Sequence, residues 1–155
     1  MKILKLILPV LLGINVSHAD TLYDQLKGNS KVTVGYGQGA GAWTQAQIEN
    51  PLNKDVFFQA ANTVLEEFKG SDPKNILFFG VTSAKMNLIA TKHDFTLVIM
   101  YQGENFSDTY TCNKTYKIGF SEAAMSWERD SLAKTKLAVD CKNDFIQFAK
   151  TITLQ

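Results

Sequence analysis

The segment DFTLVIMYQ, Asp94–Gln102, decides the fold because large apolar residues recur at every second position along it. One face of the predicted strand is apolar and carries Phe95, Leu97, Ile99 and Tyr101. A period of two residues is typical of a β-strand whose apolar side lies on a core. The opposite face carries Thr96, Val98 and Met100. Two apolar residues there indicate that both faces of the sheet are covered.

The neighbouring segments extend this strand into an antiparallel sheet. Two strands are predicted before it, ILFFGV at Ile76–Val81 and SAKMNLIATK at Ser83–Lys92, with a hairpin turn at KHD, Lys92–Asp94. GEN, Gly103–Asn105, begins the next turn, and the strand TYTCNKTYKIGF, Thr109–Phe120, follows it. Short turns between consecutive strands favour antiparallel pairing.

LAKTKLAVDC, Leu132–Cys141, predicts one more strand because Leu137, Val139 and Cys141 are in phase. Cys112 likewise lies on the apolar-phase face of its own strand. That parity suits a disulfide that joins neighbouring strands, or joins a strand to the core. These are the two cysteines of the sequence, and two free thiols are the alternative.

Helical periodicity marks two further segments. Asn53–Lys69 has apolar residues at i, i+4, i+7 and i+11, namely Phe57, Ala61, Val64 and Phe68. A second helix follows Asn143, a good N-cap, and its apolar face carries Phe145, Phe148, Ala149 and Ile152. A short helix or turn at Asp20–Lys27 and a strand at Lys31–Val34 precede both. The expected fold is an α+β two-layer sandwich, an antiparallel sheet of four to six strands with a central and a C-terminal helix packed on it.

The N-terminus MKILKLILPVLLGINVSHA, Met1–Ala19, reads as a signal peptide. Lys2 and Lys5 precede an apolar run of 11 residues, and a small-x-small site follows. As a helix the run is about 16 Å long, too short for a hydrocarbon core of about 30 Å. An uncleaved anchor is the alternative. We expect one domain at residues 20–155, located in the periplasm or secreted, with no membrane span after cleavage.

Charge argues against nucleic acid as a partner. Without Lys2 and Lys5 the chain has 14 basic residues against 15 acidic ones, a formal net charge of −1. A chain with this charge balance lacks the excess of basic residues that attracts a polyanion. Arg129 is the only arginine, so forked recognition of a carboxylate or phosphate has one donor at most.

The segment KVTVGYGQGAGAW, Lys31–Trp43, has glycine at every second position from Gly35 to Gly41. A phosphate loop would need a helix directly after it and a surrounding βαβ unit, and the sequence predicts neither. One remaining interpretation is a mobile loop or bulged edge strand. The other is a partner-facing loop in which Tyr36 and Trp43 make the contacts.

Catalytic chemistry has few candidates. His93 is the one histidine after the leader and falls in a predicted turn, so we expect no histidine-based catalytic site, no metal and no cofactor. A carboxylate pair remains open, and its candidates are Glu66, Glu67, Glu122, Glu128 and Asp130. SWERDS, Ser126–Ser131, is either a polar loop pinned by Trp127 or a contact for a ligand or protein.

These observations favour an exported, non-enzymatic module that binds another protein, for example an inhibitor or immunity protein against an envelope-targeted enzyme. The predicted binding residues are Tyr36, Trp43, Trp127 and Arg129. The alternatives are an exported carboxylate-dependent hydrolase and a carrier that holds a small apolar ligand between helix and sheet.

Overall fold

The structure of the protein is a computed structural model that describes residues 19–48, 56–89, 92–117 and 127–155, without the side chains of 127–133. Its elements are α1 (Leu22–Leu26), β1 (Ser30–Tyr36), α2 (Ala42–Ile48), α3 (Val56–Val64), a 3₁₀ turn (Glu66–Phe68), β2 (Asn75–Met86), β3 (Lys92–Gln102), β4 (Ser107–Lys117) and α4 (Trp127–Thr151). They form an α+β two-layer sandwich. The sheet has the strand order β1-β2-β3-β4, and the helices pack on one face of it.

The strands β2, β3 and β4 form the antiparallel meander that the sequence predicts. In the centre of the sheet Leu97 lies opposite Val81 on one side and Cys112 on the other. The apolar face assigned to β3 is confirmed, since Phe95, Leu97, Ile99 and Tyr101 are all buried. This face of the sheet is the floor of the core.

The first strand pairs differently from the prediction. β1 is parallel to β2, with Val34 opposite Phe79, and the connection between them runs through α2 and α3. Parallel neighbours need a long crossover connection, and these helices supply it. The predicted antiparallel sheet is confirmed for β2, β3 and β4, and β1 is the exception. The expectation of no βαβ unit around the glycines is wrong.

The hairpin between β2 and β3 is longer than predicted. The two expected strands are one, because β2 runs through a register shift between Val81 and Ser83. Residues Lys92–Asp94 belong to β3 and not to a turn, since Met86 pairs with His93. Asn87 closes the turn instead: its N–H donates to the Lys92 carbonyl at 3.0 Å.

The C-terminal region contains the largest correction. Residues Leu132–Cys141 are helical, SWERDS enters the same helix at Trp127, and Asn143 lies inside α4 rather than at its start. The buried positions among the described side chains of α4 follow helical spacing and are Lys134, Leu137, Ala138, Cys141, Phe145, Ile146 and Ala149. The central helix also differs, because α3 ends at Val64 and the 3₁₀ turn continues it; residues 53–55 lie outside the described range.

The core lies between the helices and the inner face of the sheet. Phe57 of α3 stacks on Phe79 of β2 with ring centroids 6.1 Å apart. Phe145 of α4 packs against Tyr101 and Tyr110 of the last two strands. Aromatic pairs of this kind stabilise a core beyond the apolar area that they bury.

The opposite face of the sheet, which we call the open face, is not covered as the sequence predicts. Met100 is 40% exposed and Ile76 is 50% exposed. Phe78 is only partly buried, and on β4 the same face carries Thr109 and Thr111, both exposed. The apolar residues of this face therefore form a strip beside polar neighbours.

Candidate functional site

Two glycines of the run, Gly37 and Gly39, are required by the shape of the chain between β1 and α2. Gly35 lies in the edge strand β1, and a Cβ there would be 3.5 Å from the ring of Phe78. A Cβ on Gly37 would lie 2.5 Å from the Thr82 methyl group, so the chain passes too close for any other residue. Gly39 has a φ of +88°, a conformation that favours glycine. The segment is a shaped turn that leads the chain from β1 into α2.

Tyr36, a predicted binding residue, packs into the fold. Its hydroxyl donates to the Gln45 carbonyl at 3.4 Å, and its ring meets Phe58 edge-on at 5.2 Å. Because these contacts tie the end of β1 to α2 and α3, Tyr36 positions the two helices.

Trp43, also a predicted binding residue, is on the surface. It lies in the first turn of α2 and is 61% exposed. The next residue, Thr44, is buried, and so is Ile48 one turn further along. The helix is thus fixed to the core on one side and presents Trp43 to solvent on the other.

Trp127 and Arg129 lie in the first turns of α4, and their side chains are outside the described part of the structure. The same holds for Glu128 and Asp130, and Glu122 is outside it altogether. The structure relates Tyr36 to the helix of Trp43, but no geometry links either residue to Trp127 or Arg129.

The carboxylates of the 3₁₀ turn serve the fold. Glu67 accepts a hydrogen bond from Tyr23 Oη at 3.0 Å and pairs with Lys142 Nζ at 2.9 Å, which joins the turn to α1 and α4. Burial raises the pKa of Glu67, but the Lys142 and Tyr23 contacts outweigh it and leave the pKa below its ordinary value. Glu66 pairs separately with Lys69 at 2.6 Å.

The histidine is in a strand and not in the expected turn. His93 of β3 stacks on Phe95, with ring centroids 6.2 Å apart. Across the described ranges, no three His, Cys, Asp or Glu side chains lie close enough together to hold a metal ion.

A polar pocket that the sequence did not indicate opens at the end of the sheet where β2 begins. Its volume is about 290 Å³, and the charged residues that line it are Asp20, Lys74 and Glu104. Asn75 on its wall is buried and donates from Nδ2 to the Gln25 carbonyl at 2.7 Å. The residues come from distant parts of the chain, so no local motif marks the pocket.

The cysteines connect the two layers of the fold. A disulfide joins Cys112 on β4 to Cys141 on α4, with the Cα atoms 5.9 Å apart. Both residues are buried. The bond links a strand to a helix, and not to the neighbouring strand that the periodicity of Leu132–Cys141 suggested.

Comparison with known proteins gives distant similarity alone. No protein family and no curated sequence matches the chain. A putative lipoprotein from Caulobacter crescentus CB15 is similar in structure, with 12% identity, 82% of this chain and 93% of that one covered, and a TM-score of 0.39. A minor lipoprotein from Acinetobacter baumannii has 11% identity, coverage of 83% and 97%, and a TM-score of 0.41. No helix in the described ranges combines the length and apolar character that a membrane crossing requires.

Proposed function

We propose that the protein is an exported, non-enzymatic binding protein whose partner is another protein in the envelope or outside the cell. An inhibitor or immunity protein against an envelope-targeted enzyme is the concrete form of the proposal. The observation that supports it most is Trp43, an exposed tryptophan on a helix that is fixed to the core.

Tryptophan is among the residues that contribute most to binding at protein interfaces. An indole held by a rigid element loses little conformational freedom on binding, which favours affinity. Thr44 and Ile48 are buried and hold α2 on the core. The hydrogen bond from Tyr36 to the Gln45 carbonyl ties the helix to the end of β1. Trp43 is therefore presented in a defined orientation.

Export is supported by two independent features. The first 19 residues have the charge and apolar pattern of a cleaved leader. The disulfide between Cys112 and Cys141 suits an oxidising compartment. We expect the mature protein to begin at Asp20, and intact-mass measurement of the protein purified from its producing cells tests this.

The carboxylate-dependent alternative requires an acid whose pKa is raised. In the described part of the chain, the carboxyl groups with a displaced pKa all have it lowered, and they are Asp24, Glu67, Asp94 and Asp140. Each is held by hydrogen bonds to the charged form. The lowered pKa values favour a structural role for these acids over a role in proton transfer.

Photo-crosslinking from α2 tests the proposal. A photoreactive amino acid at position 46, an exposed residue of the same helix, should capture one dominant protein from the producing cells while Trp43 stays in place. The Trp43→Ala variant should bind that purified protein at least tenfold more weakly. Gln45→Ala is the matched control, because this exposed side chain lies on the same helix and its backbone contact is retained. Equal affinity of the Trp43→Ala and parent proteins would reject the role of Trp43.

A further inference from the structure

The β2–β3 hairpin ends in exposed aliphatic residues. Leu88 is fully exposed, Ile89 is more than half exposed, and Met86 beside them is also exposed. We call these three residues the apolar tip. Single apolar residues on a surface are ordinary, whereas three within four positions concentrate exposed apolar side chains at one end of the hairpin.

Lysines surround this tip. Lys85 and Lys92 flank the turn on the two strands, and Lys117 lies opposite Lys92 on β4. All three are exposed and lie on the open face of the sheet. We call them the lysine collar. Asp94 pairs with Lys92 at 3.1 Å, so three lysines against one aspartate leave a surplus of two positive charges among the described residues there.

We propose that the apolar tip enters the interface of a lipid bilayer that contains anionic lipids, while the lysine collar contacts the headgroups. Aliphatic side chains gain free energy by leaving water for the acyl boundary. Lysines near an anionic surface add an electrostatic attraction, and their long stems reach the headgroup level while the charge stays solvated. The protein would lie on the membrane, without crossing it.

The hairpin is built to keep its shape during such a contact. The Asn87 N–H donates to the Lys92 carbonyl, and the Lys92 N–H donates back to Asn87 Oδ1 at 2.8 Å. Met86 pairs with His93 directly below the turn. Because the strands are already ordered up to the tip, little conformational freedom is lost on docking.

The composition of this surface favours lipid over a protein partner. Protein interfaces are enriched in aromatic residues, methionine and arginine, and depleted in lysine. Of the enriched types the tip has Met86 alone, beside the aliphatic Leu88 and Ile89, and the collar consists of three lysines. The opposite end of the sheet carries Asp20 and Glu104 with Lys74, a net charge of −1 among these three residues, so the lysine collar is the end that an anionic surface attracts.

Vesicle sedimentation tests the inference with the protein produced with its own N-terminal segment. Binding to vesicles with about a third phosphatidylglycerol should exceed binding to phosphatidylcholine alone and fall as salt is added. The double variant Leu88→Ser with Ile89→Ser should bind at least tenfold more weakly. Lys85→Gln and Lys117→Gln should each weaken binding about fivefold.

The matched control is Ile76→Ser with Met100→Ser, which removes two exposed aliphatic residues from another part of the open face and should leave vesicle binding unchanged. Thermal unfolding of every variant checks that the fold is intact. Trp43→Ser should also bind vesicles normally, so failure of this inference is distinguishable from failure of the proposed protein-binding role.

Equal sedimentation of the parent and the Leu88→Ser, Ile89→Ser variant would overturn the inference, since any remaining binding would come from elsewhere in the chain. So would the absence of parent binding to anionic vesicles. A photoreactive group at position 88 that labels one protein in native membranes, and not lipid, would assign the tip to a protein partner instead.

Discussion

At the scale of single residues, Gly80 shows how closely the chain is packed on the open face. A Cβ there would collide with the ring of Phe78 and lie 2.7 Å from the Gly37 nitrogen. The ring can turn away, but Gly37 is held by its hydrogen bond to Val81. Gly80→Ala should therefore lower the free energy of unfolding by about 1–3 kcal/mol in urea titration.

Gly41→Ala is the control for this substitution. A Cβ at Gly41 meets nothing within 4 Å, and its φ is not positive. The change should leave stability unaltered or raise it by less than about 1 kcal/mol, through the lower entropy of the unfolded chain. Equal losses in both variants would contradict the close contact at Gly80.

Glu67 links stability to pH. Its pKa lies below the ordinary value of 4.5, because the Lys142 and Tyr23 contacts outweigh its desolvation. The folded state thus binds fewer protons than the unfolded state in this range. The resulting stability is present above the unfolded pKa and is lost as pH falls from about 4.5 through the folded pKa.

Glu67→Gln should be less stable than the parent at neutral pH, and the difference should shrink as pH falls below the unfolded pKa. Urea titration at several pH values measures both curves. Glu66→Gln is the control, since Glu66 belongs to an exposed ion pair with Lys69 and its loss should cost less than about 0.5 kcal/mol. A parent–variant difference that does not change with pH would refute the linkage.

At the scale of elements, α4 makes a prediction that separates a helix from a strand. On a strand, Lys134 and Lys136 would share the polar face. In α4, Lys134 is on the core side and 1% exposed, whereas the Lys136 side chain is 62% exposed. An amine-reactive ester should therefore modify Lys136 readily and Lys134 only after unfolding, as peptide mass mapping can measure.

Urea provides the internal control, because both lysines should react alike in the unfolded chain. Comparable labelling of the two lysines in the native protein would contradict the helix and support the strand.

The same helix shows what the sequence could and could not predict about the elements. Leu137, Val139 and Cys141 alternate as in a strand, yet Leu137, Cys141 and Phe145 also recur at i, i+4 and i+8. A short segment can satisfy both the strand period of two and the helix period of 3.6, and tertiary packing then determines which structure forms. The strand of Phe95 to Tyr101 was predictable because its large apolar residues recur at every second position over seven residues.

The hairpin tip was missed for a related reason. Periodicity placed Met86, Leu88 and Ile89 within a strand, where apolar residues are expected to be buried. The actual turn depends on the Asn87–Lys92 hydrogen bonds and on the bulge that resets the register after Val81. Neither is visible in local composition. The exposure of Trp43 likewise depends on which face of α2 packs on the core.

At the scale of the whole molecule, the described helices pack on one face of the sheet, and Ile76 and Met100 on the other face are exposed to solvent. Val98 and Met100 suggested two covered faces. Val98 is instead shielded by the close approach of Gly37, whose hypothetical Cβ would be 2.9 Å from the Val98 methyl group. A local backbone contact thus shields Val98, and this can be recognised only from the assembled sheet.

The disulfide is the covalent link between the layers, and its removal should lower the stability of the whole fold. It closes a loop with a sequence separation of 29 between Cys112 and Cys141. Loop-closure entropy assigns about 3.5 kcal/mol to such a bond. For a domain of this size that corresponds to a decrease in Tm of about 10 °C.

Differential scanning calorimetry with and without dithiothreitol measures this decrease directly. The control is the Cys112→Ala, Cys141→Ala double variant, which should unfold near the Tm of the reduced parent and show no response to dithiothreitol. The reduced protein should still fold, because Phe145 holds α4 against Tyr101 and Tyr110 without the bond. If reduction left the Tm of the parent unchanged, the chain would not gain stability from closing this loop.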